Sequence, residues 1–179
     1  MEASMKNISF KILLICILST ASLFLKGQNS DLSIGLRFGS YNGFSARMDF
    51  EEPVSMEFIL GGRENGLTAT ILLQLNRPID LFWSRGFSWY YGIGTHFGYL
   101  KTDDERFFYE REKLNQQNLY QSVALAGIDG CVGLLYRFPE IPVEISLGFK
   151  PHLEIVNVKR FRMKVFDSAM TIRYRINNN

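Results

Sequence analysis

From residue 31 onward, apolar and polar residues alternate along most of the chain, and period-two alternation marks a strand with two unlike faces. Leu32, Ile34, Leu36 and Phe38 alternate with Ser33, Gly35 and Arg37. After "GSYNG", Phe44, Ala46, Met48 and Phe50 alternate with Ser45, Arg47 and Asp49. Val54, Met56, Phe58 and Leu60 then oppose Ser55, Glu57 and Gly61, with Ile59 off pattern. Leu67, Ala69, Ile71, Leu73 and Leu75 oppose Thr68, Thr70 and Gln74, with Leu72 off pattern. Phe87, Trp89, Tyr91, Ile93, Phe97 and Tyr99 oppose Ser88, Gly92, Gly94, His96 and Gly98. Ile128, Val132, Leu134, Tyr136 and Phe138 oppose Asp129, Cys131, Gly133 and Arg137. Val143, Ile145, Leu147 and Phe149 oppose Glu144, Ser146, Gly148 and Lys150, and Met170, Ile172, Tyr174 and Ile176 oppose Thr171, Arg173 and Arg175. The pattern predicts eight strands, an even number, with no helix of any length between them.

The links alternate too. "EEP" and "PEIP" are tight, "NRPIDLFWSRG" is moderate, the charged stretch 101–119 is the longest, and "NVKRFRMK" is long and basic. Short turns at one end and longer loops at the other are how outer-membrane barrels are built. Pro53, Pro139 and Pro142 fall in or beside turns, where a missing N–H breaks no ladder. Pro151 lies late in the seventh strand and is expected to mark its emergence above a bilayer.

Two architectures fit alternating strands. A soluble barrel points its apolar face inward, whereas a membrane barrel turns it to lipid and fills the lumen with polar groups. Three features favour the second. Phe, Leu, Ile, Met, Tyr and Trp crowd one face while Gly, Ser, Thr and charges occupy the other, and the interior of eight strands has little room for bulk. Trp89 and Tyr99 lie ten residues apart, about 25 Å along the axis of a tilted strand, which matches the apolar band between aromatic girdles. Trp89, Tyr91, Phe97 and Tyr99 are the girdle candidates. The polar face also sets Arg37, Arg47, Arg137, Lys150, Arg173 and Arg175 against Asp49, Glu57, Asp129, Glu144 and Glu154, a near balance that a dry lumen requires. The expected fold is all-β: an eight-stranded antiparallel up-and-down transmembrane barrel with a plugged lumen network.

Composition refines this reading. The chain of 179 residues suits one domain. Lys6 and Lys11 precede an apolar run from Ile12 to Leu25 that is too short to span a bilayer as a helix. Residues 1–27 are therefore expected to be a cleaved signal peptide, leaving the barrel at 28–179. Removing Lys6, Lys11, Lys26 and Glu2 from 20 basic and 18 acidic residues leaves 17 of each. That neutrality argues against nucleic acid as a partner. Cys131 would then stand alone, so no internal disulfide can form.

Candidate chemistry is sparse. His96 and His152 fall on the polar face of strands five and seven, roughly 10 Å apart by strand spacing, too far for a catalytic pair and long for a shared metal. Neither a catalytic site nor a metal or cofactor site is expected. Asp129 with Arg137 and Arg173 could form a gate, but a static lumen network is the plainer expectation. "GIGTHFG" lacks the dinucleotide fingerprint and leads into no helix. Lys159, Arg160, Arg162 and Lys164 cluster in the last link and could meet lipopolysaccharide phosphates. In "DDERFFYEREK", Phe107, Phe108 and Tyr109 sit among balanced charges and could extend strands five and six toward a partner.

The hairpin "GIDGCVGLLYRFPEIPVEISLGFKP" and the closing "AMTIRYRI" resemble the small outer-membrane β-barrel proteins of Gram-negative bacteria, particularly the Bacteroidota type. The likeness runs over about residues 31–176. It implies insertion by the barrel-assembly machinery, contact with outer-membrane lipid and lipopolysaccharide, and a monomer. Two positions depart from the family pattern: Ile176 stands where an aromatic residue usually ends the last strand, and Gly148 replaces an acidic residue. The expected function is a structural or surface-interaction role through the outer loops, including a possible extracellular protein partner. A lipid A-modifying enzyme, a narrow porin-like channel and a soluble lipocalin-like binder are the alternatives.

Overall fold

The computed structural model describes residues 31–63, 66–80, 86–102, 121–156 and 160–176. The signal-peptide assignment and the stretch 103–120 lie outside them. Ten strands form: β1 (Asp31–Gly39), β2 (Gly43–Asp49), β3 (Val54–Arg63), β4 (Gly66–Pro78), β5 (Phe87–Thr102), β6 (Gln121–Arg137), β7 (Val143–Phe149), β8 (His152–Val156), β9 (Arg160–Lys164) and β10 (Ser168–Ile176). Each strand from β1 to β6 pairs antiparallel with the next, and the ring closes from β6 through β7 and β10 back to β1. β8 continues β7 along β6, and β9 pairs with β8 as β10 pairs with β7. The fold is thus a closed, eight-stranded, antiparallel up-and-down barrel, two of whose strands are in two pieces. Among the described residues there is no helix.

A ring of eight strands must be staggered to close. Following paired residues from Arg137 through Glu144, Arg173, Gly35, Ser45, Ile59, Thr70 and His96 leads back to β6 at Gly127. The path from residue 137 to residue 127 is a stagger of ten. Side chains that are remote by strand order therefore meet inside at one height.

Both broken strands have simple causes. Pro151 does not end the pairing: Gly130 N–H donates to its carbonyl at 2.9 Å, and pairing with β6 continues from His152 to Val156 in unchanged register. Proline merely lacks the reciprocal N–H. On the next strand, Leu147 pairs with Met170 and Leu153 with Met163, six residues against seven. The extra residue is a bulge at Val165–Asp167 that exposes both Val165 and Phe166 and turns Asp167 inward, where it is buried.

Links also differ from expectation. β3 runs on to Arg63 and β4 starts at Gly66, so "GGRENG" is mostly strand. Part of the basic link "NVKRFRMK" is β9. At the end where β1 starts and β10 finishes, here the lower end, the links cover 50–53, 79–86 and 138–142. At the upper end they cover 40–42, 64–65, 103–120 and 157–159, so only one of these four is long. The first is closed by the Asn42 side chain, whose Oδ1 accepts the Gly39 N–H at 3.1 Å.

Bulky apolar side chains point outward on every barrel strand, from Ile34 and Phe44 through Leu73, Ile93 and Ile128 to Leu147 and Ile172. Charged and hydroxyl side chains fill most of the interior, with two buried apolar clusters among them, one of Ile59, Leu72, Tyr90, Cys131 and Leu135 and one of Leu100, Val123, Leu125 and Val156 toward the upper end.

Candidate functional site

The interior carries the only concentrated chemistry among the described residues, and its ion pairs fall into two sets that share no member. In the lower set Arg173 lies between two carboxylates. It pairs with Glu57, reaches Glu144 at 3.0 Å, and donates to Ser45 Oγ at 2.8 Å. Arg47 donates to Gln74 Oε1 at 2.9 Å, Ser55 Oγ at 3.0 Å and Asp49 Oδ1 at 3.1 Å, and also to Asn76. Gln74 Nε2 and the Ser45 hydroxyl donate in turn to Glu57, at 2.7 and 2.8 Å. Arg137 bridges Asp49 and Glu144, and Arg175 caps the lower end by donating to the carbonyls of Phe138 and Ile141. A buried charge is tolerated when its partners and remaining hydrogen bonds are supplied together, as they are here.

The upper set is built on Asp129, Glu154 and Asp167. Lys150 Nζ lies 2.8 Å from Asp129 and 3.4 Å from Asp167, which Arg37 approaches at 3.5 Å. Arg63 forks onto both oxygens of Glu154 at 2.6 and 2.7 Å. His96 joins the two halves, with Nδ1 2.8 Å from Asp129 and Nε2 3.4 Å from Glu154. His152 packs edge-on to His96 at 5.2 Å between centroids.

Between the sets lies an apolar cluster of Ile59, Leu72, Tyr90, Cys131 and Leu135, all buried. Ile59 and Leu72 break the alternation, as do Tyr90 and Leu135 on their own strands. They are apolar on the polar face because they pack against each other inside. Tyr90 fits because Gly133 and Gly148 leave it room: a Cβ on either would lie 2.5 Å from its phenol oxygen. Gly133→Ala is accordingly expected to lower stability by about 1–3 kcal/mol through overpacking. Denaturant titration of the variant in detergent would measure it.

Several expected arrangements need correction. The two histidines are not about 10 Å apart. His96 sits opposite Gly127, whose absent side chain lets the ring lean across β6, and a Cβ there would meet His96 Cε1 at 2.5 Å. Asp129 does not join Arg137 and Arg173: it belongs to the upper set with Lys150 and His96, while those arginines belong to the lower one. Arg160, Arg162 and Lys164 lie in strand β9 rather than in a loop, with Arg162 Nε 3.7 Å from Glu154, and Lys159 lies outside the described residues. Arg37, Arg47, Asp49, Glu57, Asp129, Arg137, Glu144, Lys150, Arg173 and Arg175 all project to the interior side, with Asp49, Arg137 and Arg175 nearest the lower rim. Trp89, Tyr91, Phe97 and Tyr99 are exposed on the outer face, and Trp89 stacks on Tyr91 at 5.1 Å.

Arg63, Asp167 and Tyr90 complete the interior and were not anticipated. Arg63 keeps the phase of Glu57 and Gly61, and Asp167 that of Arg173, Thr171 and Ala169. Extending the alternation past the glycines and across the last link would have found both. In chemical terms the interior is a set of held charges. Among the described residues no group of three or more His, Cys, Asp and Glu is placed to hold a metal ion.

No protein-family model matches the sequence, and no curated protein matches it. Among solved structures, the N-terminal β-barrel domain of OprF from Pseudomonas aeruginosa is similar, with a TM-score of 0.56 at 10% identity. The match covers 84% of this chain and 100% of that one. At that identity the likeness is one of fold: the chain is an eight-stranded β-barrel built like that domain.

Proposed function

We propose that this chain is an outer-membrane β-barrel protein of the small Bacteroidota type, exported by a signal peptide, with a plugged lumen. Its role is structural or surface-interacting, with the upper end outside the cell. One observation carries the reading: the barrel is inside-out relative to a soluble one. Arg47 and Glu144 are 0% exposed and Arg173 is 1% exposed, whereas Leu73 is 53% and Ile93 is 72% exposed. An apolar belt around a whole barrel far exceeds the few hundred Å² that soluble monomers leave open, and hydrocarbon is the solvent that suits it. The resemblance to an outer-membrane barrel domain in fold is consistent with that solvent.

Trp89 and Tyr91 then form part of the lower girdle, Phe97 and Tyr99 part of the upper one, and lipid lies between. Lipopolysaccharide phosphates are the proposed partners of the basic residues Lys159, Arg160, Arg162 and Lys164, of which Arg162 also lies 3.7 Å from Glu154. Fractionation tests the reading. The protein is expected in the detergent-extracted outer membrane, and an unboiled sample should run at a different position from a boiled one. A soluble periplasmic protein with no heat-modifiable band would refute it.

A further inference from the structure

Two features of the interior are unequal above and below the apolar cluster. Below it, Arg47, Arg173, Glu57 and Glu144 are held by close partners, Arg47 alone making four side-chain hydrogen bonds, and only Ser33 Oγ and Arg175 Nε among the buried polar atoms described there lack one. Above it, buried polar atoms lack hydrogen-bond partners: both oxygens of Asp167, both ring nitrogens of His152, Arg37 Nη2 and Thr68 Oγ1. These four residues line a cavity of about 20 Å³, together with Tyr41, Lys150 and others. Asp167 has Lys150 and Arg37 at 3.4 and 3.5 Å but no hydrogen bond to either oxygen, and a buried carboxylate whose hydrogen bonds are unmade is costly. A space above about 10–15 Å³ with several polar partners is large enough to hold a water molecule.

The boundary between the two regions is set by sequence. The stagger brings Leu72 of β4, Ile59 of β3 and Cys131 of β6 to nearly one height, where they meet as one buried cluster with Tyr90 just beneath. Leu72 rests over Gly94, whose missing Cβ would lie 2.6 Å from its Cδ2. A further cavity beside Leu72, Tyr90 and Cys131, which Arg37, Glu57, Gln74 and Lys150 also line, is only about 10 Å³, at the lower limit for water.

We propose that the interior is a blind vestibule. Its upper chamber, around Arg37, Lys150, His152 and Asp167, holds water. The apolar layer of Ile59, Leu72, Tyr90 and Cys131, not the ion pairs on either side, is the barrier that stops ions. Polar walls with fixed charges can exchange an ion's hydration shell for their own dipoles, whereas an apolar constriction offers nothing in return and gates by dewetting. This rests on the reading of a plugged lumen and locates the plug.

The native thiol and bilayer conductance together test it on the full chain. Wild type in planar lipid bilayers should show no ion steps, and Cys131 should react with a charged, membrane-impermeant thiol reagent only after unfolding. Leu72→Ser should produce discrete conductance and raise the Cys131 labelling rate by about tenfold or more, since thiol reactivity follows access. Asp129→Asn and Glu144→Gln should leave the bilayer silent. If Leu72→Ser proves unstable, Ile59→Thr makes the same opening, and retention of the heat-modifiable band marks the folded fraction. Conductance from Asp129→Asn or Glu144→Gln with a silent Leu72→Ser would move the barrier to the ion pairs and overturn the proposal. Wild type that conducts already would instead sink the plugged lumen itself. Rapid Cys131 labelling in folded, silent wild type would overturn the dry layer alone.

Discussion

Replacing Arg173 by alanine is expected to destabilise the barrel by about 3–5 kcal/mol, the cost of leaving buried charge unpaired. Arg173 is the one cation that touches both Glu57 and Glu144, and its Nε and Nη1 also donate to Ser45 and Ser146. Its removal leaves Glu57 with Gln74 and Ser45 as close partners, and Glu144 with Arg137 at 3.4 Å. Arg173→Lys should recover only part of the loss, because an ammonium cannot fork between two carboxylates as a planar guanidinium does. The more telling comparison is Arg173→Met with Glu57→Gln and Glu144→Gln together. Removing the charges as a set should cost far less than the single change, since most of the penalty is the stranded carboxylates and not the lost attraction. Equilibrium unfolding in urea from lipid vesicles reads all of these. A single Arg173→Ala that unfolds within about 1 kcal/mol of wild type would mean that water reaches Glu57 and Glu144, contrary to their burial.

How much of this was legible in the sequence follows from the range of each interaction. Strand identity and the two faces depend on residues two apart, so alternation displayed them directly, and Arg47, Glu57, Glu144 and Arg173 could be assigned inward without any knowledge of their partners. Partners depend on the stagger, which no local pattern encodes. Asp129 was therefore grouped with Arg137 and Arg173 when it faces Lys150 and His96. The histidines were misplaced for a related reason: strand spacing measures backbones, but inward side chains converge, and Gly127 removes the side chain that would have kept them apart. Ile59 and Leu72 read as irregularities because each departs from its own strand's phase. Only together, on adjacent strands, do they form a layer. The bulge at Val165–Asp167 shifts phase by one residue, so the basic link before it reads as a loop although five of its eight residues are strand β9.

Ile93→Arg separates the two solvents that the outer face could meet. Ile93 lies on the outer face of β5 between Trp89 and Tyr99, paired with Leu73 on β4, and is 72% exposed. In water an exposed isoleucine contributes little to stability, and arginine there should shift the unfolding free energy by no more than about 0.5 kcal/mol. In the middle of a bilayer the same guanidinium should cost about 2–4 kcal/mol, falling to about 0–1 kcal/mol near the interfaces. The depth dependence is the sharper part of the result. An arginine scan along the outward residues of β5, at Trp89, Tyr91, Ile93, Phe97 and Tyr99, should give a penalty that peaks at Ile93 and declines toward both aromatic ends, measured by unfolding from vesicles of one lipid. A profile that is flat along the strand, or that tracks each residue's burial rather than its distance from the girdles, would show that no hydrocarbon slab surrounds the barrel. Burial alone cannot imitate the expected profile, because Ile93 is more exposed than either Trp89 or Tyr99: only a surrounding solvent that excludes charge makes the most exposed position the most costly one to charge.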